Sequence, residues 1–163
     1  MQLTQEYLKS ILAYDPETGI FIRKTSPSNR VKIGDIAGSP NSKGYLQIML
    51  KNKLYKSHRL AWLYIYGDFP KADVDHINHD KADNRIINLR EATKSENLQN
   101  QIKKQSGNKS GYLGVCFHKK SKKYSATISI NRKQWHLGLF PTPEEAHEAY
   151  LKAKRQIHEF GTL

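Results

Sequence analysis

Residues 73–100 decide the fold: they read DVDHINHDKADNRIINLREATKSENLQN and concentrate Asp, His and Asn in one short stretch. The stretch allows a first strand over Val74–Ile77 and a second strand over Arg85–Leu89. Thr93-x-x-Glu96 is a capping box, which predicts that a helix begins there. The stretch is therefore compatible with two strands followed by a helix.

Several kinds of site compete for this stretch. Asp73-x-Asp75 suggests a calcium-binding EF-hand loop, but the glycine and the final glutamate that such a loop requires are missing. A zinc site built on His76 and His79 lacks soft partners at useful spacing. A polar surface turn explains the Asn and Asp residues, but it leaves the joint placement of Asp75, His76, Asn88 and Asn97 unexplained.

That joint spacing resembles the HNH (His-Me finger) nuclease motif, in the version carried by phage homing endonucleases. The motif has Asp-His, then Asn twelve residues after the His and a second Asn nine residues further on. Here those positions are Asp75-His76, Asn88 and Asn97. The resemblance extends upstream through HRLAWLYIYG at 58–67 and YDPETG at 14–19. It implies a β-hairpin and a helix wrapped around one divalent metal ion.

The resemblance assigns a role to each position. Asp75 and Asn97 would be the metal ligands, because hard oxygen atoms suit Mg²⁺, or alternatively Mn²⁺, and leave sites open for phosphate and water. His76 would be the general base, since a neutral imidazole has a pKa near the working pH, and His79 is a rival base. Asn88 would orient the imidazole or hold the loop.

The Asp75-His76 pair, Arg85 and His58 need separate expectations. Adjacent residues of a strand face opposite sides, so the strand must end, twist or bulge at Asp75-His76 if both are to serve one site. Arg85 could contact the phosphate. His58 is expected to be structural near its helix start, with a supporting role near the site left open.

The residues before the motif predict further α+β structure. The expected elements are a helix capped by Thr4 through about Leu12, a strand over 20–22, a hairpin of strands 44–50 and 54–56 around a turn at 51–53, and an apolar helix capped by Ser57 and closed by Gly67.

Residues 101–111 are polar and basic and predict a linker. It would separate a nuclease domain over 1–100, with its core motif at 73–103, from a second domain over 112–163. The second domain is predicted to contain strands at 112–117, 124–130 and 134–140 and an amphipathic helix that begins at Thr142-Pro143. The apolar stripe of that helix is expected to be Ala146, Ala149, Tyr150, Ala153 and Ile157.

The second segment resembles the AP2 domain, known from plant transcription factors and phage HNH endonucleases. The agreeing features are Tyr112-x-Gly114-Val115, Lys123-Tyr124 and Leu137-Gly138-x-Phe140. The resemblance implies a three-stranded antiparallel sheet laid in the major groove of DNA. Where plant members carry arginines, this chain has other residues, so the target sequence is not implied.

Side chains of this second domain are expected to divide between DNA contact and core. The outward candidates are Phe117, His118, Lys120, Lys123, Thr127, Ser129, Gln134 and His136. The turn lysines Lys119, Lys120, Lys122 and Lys123 would position phosphates without reading sequence. At least two of Tyr112, Tyr124 and Trp135 are expected to pack in the core.

Composition agrees with a polyanionic partner. The 163 residues carry 27 Lys and Arg against 15 Asp and Glu, a net charge of +12. Such an excess favours a polyanionic partner, because each neutralised phosphate releases a condensed counterion, and composition alone leaves DNA, RNA and acidic membranes open. The single cysteine, Cys116, excludes an internal disulfide. No apolar run approaches a membrane span, so a cytoplasmic protein is expected, in the host cytoplasm if the gene belongs to a phage.

The sequence therefore predicts an α+β, sequence-directed DNA endonuclease of the homing type that uses one metal ion, acting as a monomer or weak dimer. Because the chain has one catalytic site, it would nick one strand, or cut both through dimerisation or rebinding. The alternatives are a non-cleaving DNA-binding regulator with a vestigial HNH scaffold and, third, an RNA-directed nuclease.

Overall fold

The computed structural model describes residues 3–99, 108–130 and 133–157, and it shows a mixed α+β protein. The chain divides into two compact units, Met1–Thr93 and Lys94–Leu163. The predicted linker falls largely on residues 101–107, which lie outside the described part, so that boundary stays a prediction. No helix of the described residues is long and apolar enough to cross a membrane.

The first unit consists of short antiparallel sheets and two α-helices. Its elements are α1 (Gln5–Ile11), β1 (Leu12–Tyr14), β2 (Phe21–Arg23), β3 (Ile36–Ala37), β4 (Ser39–Pro40), β5 (Leu46–Leu50), β6 (Lys53–Lys56), α2 (Ser57–Tyr66), β7 (Asp73–His76), a 3₁₀ helix (Ile86–Asn88) and β8 (Leu89–Ala92). The sheets have the orders β1-β2-β3, β4-β5-β6 and β7-β8.

The N-terminal helix and the central hairpin form as the sequence predicts. Thr4 caps α1 by accepting a hydrogen bond from the backbone N–H of Tyr7 at 3.3 Å. Lys51 and Asn52 join β5 to β6, and both have positive φ, which is the backbone that a two-residue hairpin turn requires. Both elements contribute to one apolar core with β1, β2 and α2.

Helix α2 begins differently from the prediction. Its cap position is Lys56, which makes no side-chain capping bond, and Ser57 is already helical. The prediction that Ser57 caps the helix is therefore wrong, because its hydroxyl is buried and has no hydrogen-bond partner among the described residues. The C-terminal prediction is confirmed, since Gly67 ends α2 in the left-handed conformation.

The hairpin of the motif is antiparallel, with Asp73 opposite Ala92 and His76 opposite Leu89. The predicted second strand at 85–89 is wrong: a 3₁₀ turn occupies Ile86–Asn88, and β8 begins only at Leu89. The cause is local hydrogen bonding, because the backbone N–H of Arg85 donates to the Asp83 side chain and Asn88 turns its amide inward. Backbone groups held in this way do not join a strand ladder.

The second unit contains α3 (Lys94–Gln99), β9 (Val115–His118), β10 (Lys123–Ile130), β11 (Lys133–Phe140) and α4 (Pro143–Ile157). The three strands form one antiparallel sheet with β10 in the centre. This arrangement confirms the predicted three strands and following helix. A bulge between Ala126 and Thr127 shifts the register against β11.

One face of this sheet packs on α4. The buried contacts join Val115 and Ala126 to Ala146, and Ile128 to Tyr150 and Ala153. Gly114, with φ of +75°, allows the close approach of the helix, because a Cβ there would overlap the ring of Tyr150. Ile157 was predicted to join the apolar stripe, but it is 41% exposed, since it lies in the last turn of the helix.

Candidate functional site

Strand β7 carries Asp75 and His76 and ends at His76. An end of the strand at this point was expected if both adjacent side chains are to serve one site. The backbone N–H of His79 donates to the carbonyl of His76 at 3.0 Å, and His79 has a φ of +65°, so a tight turn follows at once. Asp75 stands opposite Arg90 in the register, and the Arg90 guanidinium donates to its Oδ2 at 3.0 Å. One oxygen of the carboxylate is therefore held by an arginine.

The His76 imidazole is buried, with 4% of the residue exposed. Its ring lies edge to face with the ring of His58 at 5.0 Å between centroids and 5.9 Å from that of Tyr45. Its Nε2 lies 3.4 Å from Oδ1 of Asn84. If the imidazole donates there, Nδ1 is the unprotonated nitrogen, and that is the form which can accept a proton from water.

Burial lowers the pKa of His76 below its ordinary value of 6.5. The hydrogen bond to Asn84 and the charges of Asp75, Asp80 and Asp83 act in the opposite direction but are smaller. The imidazole is consequently neutral at physiological pH, as a general base must be before it takes a proton.

The His58 ring lies directly against the His76 ring. The sequence had left a supporting role of His58 near the site open. His58 is 3% exposed, and its Nδ1 has no hydrogen-bond partner among the described residues. Burial lowers its pKa to about 3, and the nearby charges of His76, Lys56 and Arg59 act in the same direction. His58 is therefore a neutral ring that packs on the candidate base.

Asn88 holds the loop that follows β7. Its Oδ1 accepts from the backbone N–H of Asn78 at 2.9 Å, and its Nδ2 donates to the carbonyl of Asp83 at 2.9 Å. The sequence offered two roles for Asn88, orienting the imidazole or holding the loop. These two bonds favour the second, because they close the loop on itself.

Sequence reasoning missed Asn84 and the turn that supports it. Asn84 is almost fully buried, and its carbonyl accepts from the hydroxyl of Tyr14 at 2.7 Å. Gly19 in the N-terminal turn has φ of +74°, and a Cβ there would come within 2.5 Å of the backbone of Asn84 and Arg85. The YDPETG turn therefore packs on the loop, and its glycine was the available signal.

Arg85 is not free for a phosphate in this structure. Its Nε and Nη2 donate to the two oxygens of Asp83 at 2.8 and 2.6 Å. The hydrogen bonds from Arg85 lower the pKa of Asp83 to about 2, so the pair stays ionised throughout the physiological range. The predicted phosphate contact would have to use the remaining N–H groups of Arg85, or replace Asp83.

The outward face of the second unit's sheet is polar. Residues directly opposite in antiparallel strands share a face, and the register pairs His118 with Lys123, Ser129 with Gln134 and Thr127 with His136. All six point away from the buried Ala126 and Ile128, so the outward prediction is confirmed for them. The turn lysines Lys119, Lys120 and Lys122 are also exposed.

The aromatic residues of this sheet divide between core and surface. Phe117 was predicted to point outward; it stands opposite Tyr124, with 5.2 Å between the ring centroids, and it is 50% exposed. Tyr112 and Tyr124 pack against the core, as expected for two of the three rings named. Trp135 is 57% exposed, although it stands opposite the buried Ile128.

The comparisons with known proteins concern the segment built around this site. Residues 55–99 match a family model described as HNH endonuclease. This HNH segment includes Asp75, His76, Asn88 and Asn97. No curated protein matches the chain significantly.

A solved structure described as "DNA binding and cleavage by the HNH homing endonuclease I-HmuI" is similar, with a TM-score of 0.43 and 20% identity. The likeness covers 92% of this chain and 88% of that one. A similarity of that size does not establish a shared fold.

The donor atoms of the HNH segment fit a hard cation. Asn97 on α3 has a buried Oδ1 that accepts no hydrogen bond from the described residues, and such an orphaned oxygen suits a metal ligand. No group of three or more His, Cys, Asp or Glu side chains that could hold a metal occurs in the described ranges. Asp75 and Asn97 belong to different compact units, and their convergence stays a prediction.

Proposed function

We propose that this protein is a metal-dependent DNA endonuclease of the HNH homing type. The observation that carries the proposal is the family match at residues 55–99, which includes the four residues of the motif. Two structural facts support it. His76 is held as a neutral imidazole at the end of a strand, and Asn97 presents a buried oxygen without a hydrogen bond.

Each residue has a chemical task in phosphodiester hydrolysis. Asp75 and Asn97 would hold one divalent ion, Mg²⁺ or Mn²⁺, which when bound supplies charge stabilisation at the phosphate. His76 takes the proton of the attacking water, and Asn84 keeps the imidazole oriented through Nε2. Asn88 holds the loop around that imidazole. The products are a 5′-phosphate and a 3′-hydroxyl.

The C-terminal unit would bind the duplex as an AP2-like domain. Its outward sheet face presents His118, Gln134 and His136, which have the hydrogen-bonding groups needed to read base edges in a major groove. The four turn lysines, Lys119, Lys120, Lys122 and Lys123, would contact phosphates. The partner is double-stranded DNA, and the chain acts as a monomer or weak dimer.

A plasmid-nicking assay tests the activity. Supercoiled plasmid should be converted to the nicked form with Mg²⁺ and remain intact with EDTA. Asp75→Ala and Asn97→Ala should both abolish nicking, because each removes one of the two protein ligands. Cleavage that persists in EDTA would contradict the metal requirement.

One observation favours the non-cleaving regulator. Asp75 already has an arginine partner, Arg90, and a carboxylate satisfied in this way needs no metal ion. Under that alternative the protein binds plasmid in a gel-shift assay but never nicks it, in Mg²⁺ or in Mn²⁺. Arg90→Gln then separates the two functions further: the nuclease should gain metal affinity, whereas the regulator should still bind no metal ion.

A further inference from the structure

Two lysines lie over one aromatic ring in the first unit. The Nζ of Lys56, at the end of β6, is 4.6 Å from the centroid of the Tyr45 ring. The Nζ of Lys81, in the loop after β7, is 4.9 Å from the same centroid. Lys81 is also fixed by a hydrogen bond of 3.1 Å to the carbonyl of Lys43. Residues from three separate segments therefore bring two positive charges to one place.

Neither of these lysines forms an ion pair with a residue that the structure describes. Both side chains are exposed. Two ammonium groups around one ring repel each other, and the quadrupole of a single tyrosine offsets only part of that repulsion. An anion bound between or beside them would remove the remaining cost.

The ring that carries these lysines also touches the candidate base. The Tyr45 centroid is 5.9 Å from that of His76 and 5.4 Å from that of His58. Burial, with smaller effects of Asp75 and Asp73, raises the pKa of Tyr45, so its hydroxyl stays protonated and can donate a hydrogen bond. Tyr45 thus contacts both the two lysines and the two histidines.

We propose that Lys56 and Lys81, held by Tyr45, form a phosphate clamp that binds the DNA backbone next to the bond attacked at His76. The inference rests on the proposed nuclease function and deepens it, because it names the residues that position the substrate strand. The ligand chemistry is the phosphodiester backbone of duplex DNA. The clamp contacts phosphates only, so it contributes affinity and position but no sequence preference.

The salt dependence of binding tests the clamp. A short fluorescent DNA duplex is titrated in EDTA at several NaCl concentrations, and the slope of log affinity against log salt is measured by anisotropy. Each lost phosphate contact lowers that slope by roughly 0.9, so Lys56→Gln with Lys81→Gln should lower it by about 2 and weaken binding at moderate salt on the order of tenfold or more. The matching double Arg variant should retain the slope, because it keeps both charges.

Lys53→Gln is the matched control. Lys53 belongs to the same hairpin and lies 5.4 Å from the ring of another tyrosine, Tyr55, but alternation along β6 puts it on the face opposite Lys56. Lys53→Gln should leave the slope of log affinity against log salt unchanged. An equal fall in slope for Lys53→Gln, or no fall for the double Gln variant, would overturn the clamp.

The outcome is separable from the nuclease proposal. Binding is measured without metal, so a chain that never cleaves would refute the nuclease and still test the clamp. If the double Gln variant does not fold, as judged by circular dichroism, the single variants replace it. Each of them is then expected to lower the slope by about 1.

Discussion

The hairpin region 73–92 and the sheet of the second unit place their polar side chains in opposite ways. In the hairpin region His76, Asn84 and Asn88 are buried, and irregular backbone is held by side-chain hydrogen bonds of Asn84 and Asn88. In the second sheet the ladder is regular apart from one bulge, and its polar residues face outward. The first arrangement suits chemistry, which needs fixed groups, and the second suits additive contacts to a long partner.

This contrast predicts steep effects of substitution in the hairpin region and shallow ones on the sheet face. A buried donor or acceptor that loses its partner costs about 1–3 kcal/mol, whereas an exposed side chain costs little stability. The predictions below run from the largest expected effect to the smallest.

Asn88→Ala should have the largest effect. It removes both bonds that close the loop, leaving the N–H of Asn78 and the carbonyl of Asp83 without that partner. We expect a loss of about 2–4 kcal/mol in the free energy of unfolding, together with loss of nicking. Urea unfolding measures the first quantity. A variant of unchanged stability would show that the loop does not depend on Asn88.

Acid should destabilise the first unit through His58. The pKa of His58 is about 3 in the folded chain and near 6.5 when unfolded, so only the unfolded chain takes up its proton as the pH falls below 6.5. Stability is therefore fully present above pH 6.5 and declines as the pH falls towards 3. Between pH 7 and pH 5 the loss from this group should be about 2 kcal/mol.

Urea unfolding at the two pH values measures this loss. A Trp135→Phe background leaves Trp62, in the first unit, as the fluorophore. The pKa of the Asp83 carboxyl is lowered from 3.8 to about 2. Asp83 is therefore ionised in both the folded and the unfolded chain between pH 5 and pH 7, and its contribution to stability is constant in this window. Equal unfolding free energies at pH 7 and pH 5 would contradict the buried, neutral state of His58.

Substitutions on the outward face of the second unit's sheet should lower the sequence specificity of DNA binding and leave the stability of the protein unchanged. Gln134→Ala and His136→Ala each remove one candidate base contact, which would reduce discrimination by about 1–3 kcal/mol. The measurement is the ratio of affinities for the DNA around the protein's own gene and for an unrelated duplex. Trp135→Phe, between them on the other face, is the control, and an identical drop there would argue against base reading by this face.

A turn lysine should have the smallest effect. Lys120→Gln removes one phosphate contact, so binding to all sequences should weaken equally and the salt slope should fall by about 1. Lys152→Gln, on the exposed side of α4, removes the same charge away from the sheet and should leave the slope unaltered. A change in sequence preference for Lys120→Gln would contradict a purely positioning role.

Sequence patterns predicted the regular elements well for a physical reason. Alternation, the Lys51-Asn52 turn and the Thr142-Pro143 helix start are local signals, and each element formed within a few residues of its expected place. The second strand of the hairpin was misplaced because Asp83 and Asn88 compete for the backbone, and that competition depends on where their side chains point. Periodicity carries no such information.

The candidate site was only partly predictable. Asp75, His76, Asn88 and Asn97 share a recognisable spacing, but His58, Tyr45 and Asn84 reach His76 from other elements, and only the fold brings them together. The ion pairs of Asp75 with Arg90 and of Arg85 with Asp83 could not be predicted from the sequence either, because any nearby carboxylate could have paired with these arginines.

The central claim is that the neutral His76 imidazole takes a proton from water. Single-turnover nicking by His76→Ala in Mg²⁺ tests it most directly, with His79→Ala, the rival base in the same turn, as the matched control. The account predicts that His76→Ala slows cleavage by about 10²–10⁴-fold while DNA binding in EDTA is unchanged, and that His79→Ala cleaves normally. Full cleavage by His76→Ala, or its loss in His79→Ala instead, would contradict the account.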